Sequence, residues 1–587
     1  MMKIHWLSPL LSGMLALSPC AMAQSATNDA ETPITFQAGA ANVVVDVVVT
    51  GAHNSSAEGL SRDNFTVFED GHEQQIVSFE VHPSANASLS QPFPPLPPGV
   101  YTNQHPNPGD DSLDVLLIDA LNTPSVKHGD VRRALLAYLK TLPVNKPIAV
   151  FTLDTRLHQL EDFTSDHTAL LKAVDHFTSS PRKSPLLKTH TDNEKQLEDE
   201  DQEFMFAMGM MKPALAAALL AGLQQFNAEQ DSLSISLRAE YTLDAFNQLA
   251  RYLSGMPGRK NVLWLSGSFP LSIVPNPNLK DSNRSARDFS EKVDQTAGLL
   301  AKGRVAVYPI DARGLFPQAY AGADTSGGSI ARTTDRVAAA EADEASLNAQ
   351  EQMTLEEVAR VTGGEAISNT NDLKGALDEV DRKGAHFYTL VYAPSDKAQN
   401  DKVRHIEVRV HPGKYHLSYR RTYMSSAPPP KPDTFVRMLQ HDVPASGQIL
   451  FRLSSTRVGV QPATAPLAGS NPNTARPVTR YSIGYEVDAA PLQLTASGDG
   501  VLHGTTTLVL IAYDREGRPL NSISNTLTLH VPSAEYARFV KEGIRYRQQL
   551  DIPAQTAWLR AGVLDRASGS VGSLEIPFSV TANPPAH

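Results

Sequence analysis

Between residues 113 and 394 the chain alternates short apolar runs with amphipathic stretches of helical length. No other feature constrains the fold as tightly. The runs "LDVLLIDA", "KPIAVFTLD", "KNVLWLSG" and "GRVAVYPIDA" are apolar at consecutive positions, as strands covered on both faces must be. The segments "VKHGDVRRALLAYLKTL", "HTALLKAVDHF", "EYTLDAFNQLARYLSGM" and "RDFSEKVDQTAGLLA" lie between them. In the third, Leu243, Phe246, Leu249, Ala250 and Leu253 recur at helical spacing. "TLEEVARVTGG" predicts a helix ending at Gly363-Gly364, "DLKGALDEVDRKG" a last helix and "HFYTLVYAP" a closing strand. Strand and helix alternating in this way predict an open, mainly parallel sheet with helices on both faces. Such sheets bind ligands at the carboxyl ends of their strands. Asp119, Asp154 and Asp311 each close a strand there.

A chain of 587 residues exceeds one domain, since domains run to roughly 100–200 residues. Residues 34–90 read as a β domain. "VVVDVVVT" is a β-branched run, and "NFTVFEDGHEQQIVSFEV" is a hairpin turning at Asp70-Gly71. The piece is short for independent stability and is expected to dock on its neighbour. Residues 91–112 and 424–433 are proline-rich linkers. The α/β domain spans 113–423, with an inserted segment at 181–226. That insertion is charged in its first half and Met-, Ala- and Leu-rich in its second, which predicts an added helix pair over the rim. A polar loop follows at 320–350. Residues 434–587 are short strand-like runs and predict a β-sandwich. "YARFVKEGIRYRQQL" within it reads as a helix or a partly extended insertion.

The net charge of -11 argues against a nucleic-acid binder, which needs a basic face. Residues 1–23 have the form of a signal peptide: Lys3, an apolar middle, and "AMA" at Ala21–Ala23. No other stretch is apolar for the about 20 residues a membrane helix needs. Cys20 is the sole cysteine. It is a lipoprotein acceptor only if cleavage precedes it, and Pro19 stands where a small residue is needed. Cleavage after Ala23 leaves no cysteine, hence no disulfide and no thiol chemistry. The chain therefore reads as an exported bacterial protein: periplasmic, outer-surface or secreted. Motifs of zinc proteases, α/β-hydrolases and P-loop enzymes are missing from the sequence. His158, His167 and His176 read as ordinary surface residues. "PGRK" (Pro257–Lys260) reads as an exposed basic turn, with Gly258 at positive φ.

The central region resembles a von Willebrand factor type A domain. More narrowly, it is similar to the exported von Willebrand A-related proteins of acidobacteria. The resemblance is carried by "VVVDVVVT", "LSRDNFTVFEDG", "LDVLLIDALNT", "MPGRKNVLWLSGSFP", "RVAVYPIDARGL", "LEEVARVTGG" and "FYTLVYAP", in that order over residues 35–425. It implies a metal-ion-dependent adhesion site at the strand ends. There Asp-x-Ser-x-Ser, a loop Thr and a later Asp hold a divalent cation that a partner's carboxylate completes. On this chain the metal residues would be Asp119, Thr123 and Thr242, with Thr164 and Thr168 as weaker matches to the loop Thr. Leu121 stands where the first Ser should be, and Ser266 where the later Asp should be. Asn122, Ser266 and Ser268 are the available replacement oxygens. With two of five positions departed, the favoured reading is no cation, with Mg²⁺ or another divalent ion as the alternative. Asp119 would then cap the following turn. Asp154 and Asp311 are expected either to cap the next helix or to pair with an Arg, Arg156 and Arg313 following each by two residues.

The resulting expectation is a non-enzymatic envelope protein that binds an unknown protein partner through the strand-end face. A carboxylate- or metal-dependent envelope hydrolase and a structural assembly component are the alternatives.

Overall fold

The computed structural model describes residues 42–578, apart from 52–54, 84–95, 106–111, 144–145, 179–183, 185, 188–205, 207–208, 211, 270–271, 274–286, 315–348, 396–401, 425–431, 463 and 499. The signal segment with Cys20, most of the charged half of the insertion and most of the polar loop at 320–350 lie outside the described residues.

The α/β unit is a five-stranded sheet in the order Val305–Asp311, Arg259–Ser266, Ser112–Asp119, Ile148–Leu153, Leu157–Thr164. The first four strands are parallel and the last is antiparallel. A parallel bridge from Ile310 to Ile367 extends the other edge. The apolar runs behave as expected, because each strand feeds two cores. Leu113, Val115 and Leu117 face the helices Pro213–Leu253 and Ser290–Lys302 and the helix at 349–362. Leu116 and Ile118 face the helices His128–Leu139, His167–Thr178 and Leu373–Gly384. Parallel register sets Asp119 beside Leu153 and Ser266 beside Asp311, so the strand ends form one rim.

Four expectations need correction. "HFYTLVYAP" does not close this sheet. Phe387–Tyr392 pairs antiparallel with Val43–Thr50 and Ile76–His82, and Val403–Val410 pairs with Phe65–Glu69. The N-terminal β domain is thus completed by strands from 387–424, and the α/β unit is inserted into a sandwich whose core joins Val45, Val47 and Val67 to Tyr388, Leu390 and Val408. Nor is 91–112 only a linker. Val100–Thr102 joins the C-terminal sandwich beside Phe451–Gln461. Buried Asn103 locks it there, donating to the carbonyls of Ser446 (2.8 Å) and Ile449 (2.9 Å). The described end of the 181–226 insertion is no separate helix pair, because Pro213–Leu253 is one continuous helix. Finally, Arg259 and Lys260 are buried, each 2% exposed, although Gly258 does take positive φ (76°).

The C-terminal sandwich packs Ile544–Pro553, Val478–Val487 and Phe451–Gln461 against a second sheet built on Val501–Tyr513. The ambiguous "YARFVKEGIRYRQQL" is both things: helix Tyr536–Glu542, then strand Ile544–Pro553.

Candidate functional site

Asp119 ends its strand buried, at 1% exposure. The backbone N–H groups of Ala120 and Leu121 both donate to the Leu153 carbonyl, so the chain turns at once. That turn sends Leu121 into the core rather than toward the rim. It also brings the Asn122 side chain inward, although Asn122 occupies an unassigned position of the family motif.

The carboxylate of Asp119 accepts four hydrogen bonds. Oδ1 accepts from the Asn122 backbone N–H (2.9 Å). Oδ2 accepts from Asn122 Nδ2 (2.8 Å), Trp264 Nε1 (3.0 Å) and Ser266 Oγ (2.8 Å). Burial raises the Asp119 pKa, and these four bonds oppose the rise. Asn122 Nδ2 donates a second time, to Thr242 Oγ1 at 2.9 Å. Thr242 in turn donates to the Arg238 carbonyl one turn back on its helix (2.8 Å). One amide nitrogen therefore bridges Asp119 and Thr242, two of the three residues that the resemblance would give to a metal ion. The amide orientation is fixed by its other end, where Asn122 Oδ1 accepts from Arg238 Nε (2.9 Å).

Arg238 completes the cluster. It is buried (5% exposed), and its guanidinium also donates to Ser268 Oγ. Burial lowers its pKa, while Glu351 and Asp119 pull the other way. Glu351 is raised chiefly by burial, with Arg313 and Arg238 opposing. Arg313 pairs with both Glu351 and Asp311, the latter at 2.9 Å. Asp119, Arg238, Glu351, Arg313 and Asp311 thus alternate in sign across the rim. Gly267 allows the two site loops to stack, because a Cβ there would lie 2.6 Å from the Asn122 carbonyl oxygen.

Of the residues singled out in the sequence, Asp119, Thr242, Asn122, Ser266 and Ser268 meet in this network. Thr123 is adjacent, but its buried Oγ1 has no hydrogen-bond partner, and its carbonyl faces His128 Nε2 (3.1 Å). Thr164 and Thr168 lie elsewhere, at the turn capped by Asp166. Asp311 takes Arg313 as expected. Asp154 instead holds the Arg156 backbone N–H (2.9 Å) and pairs with His158 (3.3 Å). His158 also reaches Asp442 (3.3 Å), so it is an interdomain residue rather than an ordinary surface one. Sequence reading missed Arg238 and Trp264. The available signal for Arg238 was its place four residues before Thr242, which puts both on one helix face.

The strand order, the antiparallel edge and the strand-end Asp119 together define an open, mainly parallel α/β unit with a polar cluster at its carboxyl-end rim. No protein-family model matches the chain, and no curated protein matches it. Solved structures with a partial likeness include an aerotolerance-related membrane protein from Bacteroides fragilis (11% identity, TM-score 0.22, 46% of this chain and 98% of that one). Another is a von Willebrand factor type A protein from Catenulispora acidiphila (9%, 0.22, 61% and 74%). A third is the three N-terminal domains of the type V pili tip protein Mfa5 from Porphyromonas gingivalis (8%, 0.23, 93% and 78%). Overlaps this distant carry no weight for function, which rests on the chain's own contacts.

Proposed function

We propose that this is an exported, non-enzymatic protein-binding molecule whose type A-like rim works without a metal ion. The observation that carries the reading is the Asn122 amide nitrogen, hydrogen-bonded to both Asp119 and Thr242. The orphan Thr123 Oγ1 would suit a cation, but the rest of the donor set does not. Asp119 already accepts four hydrogen bonds, and a buried guanidinium supplies the positive charge. A hard divalent ion needs several free oxygens, and the rim offers donors instead. Among the described residues no group of three or more His, Cys, Asp or Glu is placed to hold a metal.

Catalysis is disfavoured because the buried carboxylate already accepts four hydrogen bonds, and the hydroxyl beside it, Ser266 Oγ, is itself fully buried and donates to it. Docking is favoured by exposed apolar residues around the site. Val126 follows the site loop, Met353 lies two residues past Glu351, and Leu233 lies five residues before Arg238; all three are more than half exposed. Export rests on the signal-like segment at 1–23. Among the described residues no helix is long and apolar enough to cross a membrane. Kinship with the acidobacterial exported proteins rests on the quoted motifs alone.

The test is site-specific photo-crosslinking in the native envelope. A crosslinking amino acid replaces Val126 at the rim, or exposed Lys140 at the far end of the His128–Leu139 helix. A discrete adduct from Val126 only, unchanged by EDTA, is expected. Adducts from Lys140 alone, or adducts that vanish with EDTA, would refute the reading.

A further inference from the structure

At the base of the α/β unit, opposite the rim, a cavity of about 20 Å³ lies against the N-terminal sandwich. Its polar lining is Asp46, Arg259, Arg304, Thr362 and Arg420. Three guanidinium groups therefore face one carboxylate. That carboxylate is already committed: Asp46 accepts from Arg304 Nη2 (2.6 Å), Arg304 Nε (3.0 Å) and Thr389 Oγ1 (2.8 Å). Arg259 finds only neutral acceptors, Asn261 Oδ1 (3.1 Å), the Tyr308 hydroxyl (3.0 Å) and the Gly363 carbonyl (3.1 Å). Arg420 Nη2 donates to the Val44 carbonyl (2.6 Å), and its buried Nε has no hydrogen-bond partner. Lys260, next to Arg259, is also buried and donates only to carbonyls.

Burying cations without a counter-charge costs several kcal/mol per ion. Arg259 and Arg420 share the single Asp46 carboxylate with Arg304, and among the described residues neither has an ion pair of its own. A water molecule would fit a volume of this size, which is about one or two probe spheres, but it would bring no charge. A monatomic anion matches the same small volume and would bring the missing charge. We propose that the cavity is a resident site for a single chloride ion. It would accept from Arg420 Nε and neutralise the Arg259–Arg420 pair across the domain junction. Val44, Asp46 and Arg420 come from the sandwich, while Arg259, Ala301, Arg304 and Thr362 come from the α/β unit, so the ion would tie the two together. This proposal is independent of the rim.

The test is thermal unfolding of the full chain at constant ionic strength, with sodium chloride exchanged for sodium methanesulfonate. The melting temperature is expected to rise saturably with chloride, and bromide should substitute. Arg420→Met should abolish that dependence. Chlorine NMR line width on the unmodified protein gives a second reading that does not need the variant to fold: broadening that bromide competes away is expected. Equal melting temperatures in chloride and methanesulfonate, or no specific broadening, would overturn the proposal and leave the cavity to water.

Discussion

Asn122→Ala is the sharpest perturbation of the rim. It removes the bonds of Nδ2 to Asp119 Oδ2 (2.8 Å) and Thr242 Oγ1 (2.9 Å), and the acceptor for Arg238 Nε (2.9 Å). Two of these involve groups of full or partial charge, worth about 1.5–3 kcal/mol each, and the third is worth about 1 kcal/mol. The three share one side chain and are not additive, and water entering the vacated space recovers part of the loss. The expected cost is about 3 kcal/mol. Because the chain has separate cores in its α/β unit and in each sandwich, a global melt would not be two-state, so a local probe is needed. Trp264 is that probe, since its indole N–H donates to Asp119 (3.0 Å). The other tryptophans are Trp6, in the signal-like segment, and Trp558. Denaturant titration followed by fluorescence in a Trp558→Phe background, on protein lacking residues 1–23, reports the α/β unit alone. Asn122→Asp adds a decisive arm. It turns a donor into a carboxylate oxygen facing Asp119, so the variant should be weaker than wild type in EDTA and recover on adding Mg²⁺ or Mn²⁺ by mass action. A cost below about 1 kcal/mol for Asn122→Ala, or no divalent rescue of Asn122→Asp, would refute the idea that the amide stands in for a cation.

Other consequences can be checked separately. Asp119→Asn keeps the shape but replaces one acceptor oxygen by an NH2 donor among groups that themselves donate; a loss of about 2–3 kcal/mol is expected in the same assay. Calorimetric titration of wild-type protein with millimolar Mg²⁺ or Mn²⁺ should give no saturable heat, and Asp119→Ala should look the same. Hydrogen bonds first from Asp154 and then from Asp442 raise the His158 pKa to about 9. A raised histidine stabilises fully below its unfolded value of about 6.5, and the contribution fades as pH climbs through about 9. With Asp442 exposed and screened, the effect is at most about 1 kcal/mol. A melting-temperature decline across that window, flattened by His158→Gln, is expected. Gly255→Ala would place a Cβ 2.9 Å from the Gly447 backbone. Backbone cannot yield as a side-chain tip does, so a loss of about 1–3 kcal/mol is expected, read as faster proteolysis between the α/β unit and the C-terminal sandwich.

The sequence made the strand–helix alternation legible because strands buried on both faces must be apolar throughout. It could not say which sheet a given apolar strand joins. "FYTLVY" has the same signature whether it extends the parallel sheet or pairs with Val43–Thr50, and only tertiary packing decides. The edge strand Leu157–Thr164 escaped because its lone deeply buried residue is Leu157, so "LHQLEDFT" shows neither a long apolar run nor clean alternation. Asp119 was legible as a strand-end carboxylate; its saturation was not. That depends on Trp264, which lies two residues before the Ser266 already suspected, and on Arg238, a charged helix residue that ordinarily reads as solvated.

These placements bear on how the molecule could present its rim. The α/β unit is gripped at its base, where the chain returns to the N-terminal sandwich at Phe387–Tyr392 and Arg304 pairs with buried Asp46. It is gripped again on one flank, where the Gly447 N–H donates to the Arg251 carbonyl (3.0 Å) and His158 meets Asp442. The ion pairs made across domains lie at the base, where Arg304 meets Asp46, and on that flank, where His158 beside strand-end Asp154 meets Asp442 and Arg437 meets Asp244. Around Asp119 the charged and polar groups close on one another within the α/β unit: Asp119 with Asn122, Asn122 with Arg238, and Arg313 with Glu351 and Asp311. A partner docking over Asp119, clear of the His158–Asp442 flank, breaks none of these interdomain ion pairs. Recognition should then depend on the shape and apolar residues of the rim, with little dependence on salt. A binding constant for the crosslinked partner that fell steeply with ionic strength would contradict this, because it would require rim charges free to pair with the partner rather than with each other.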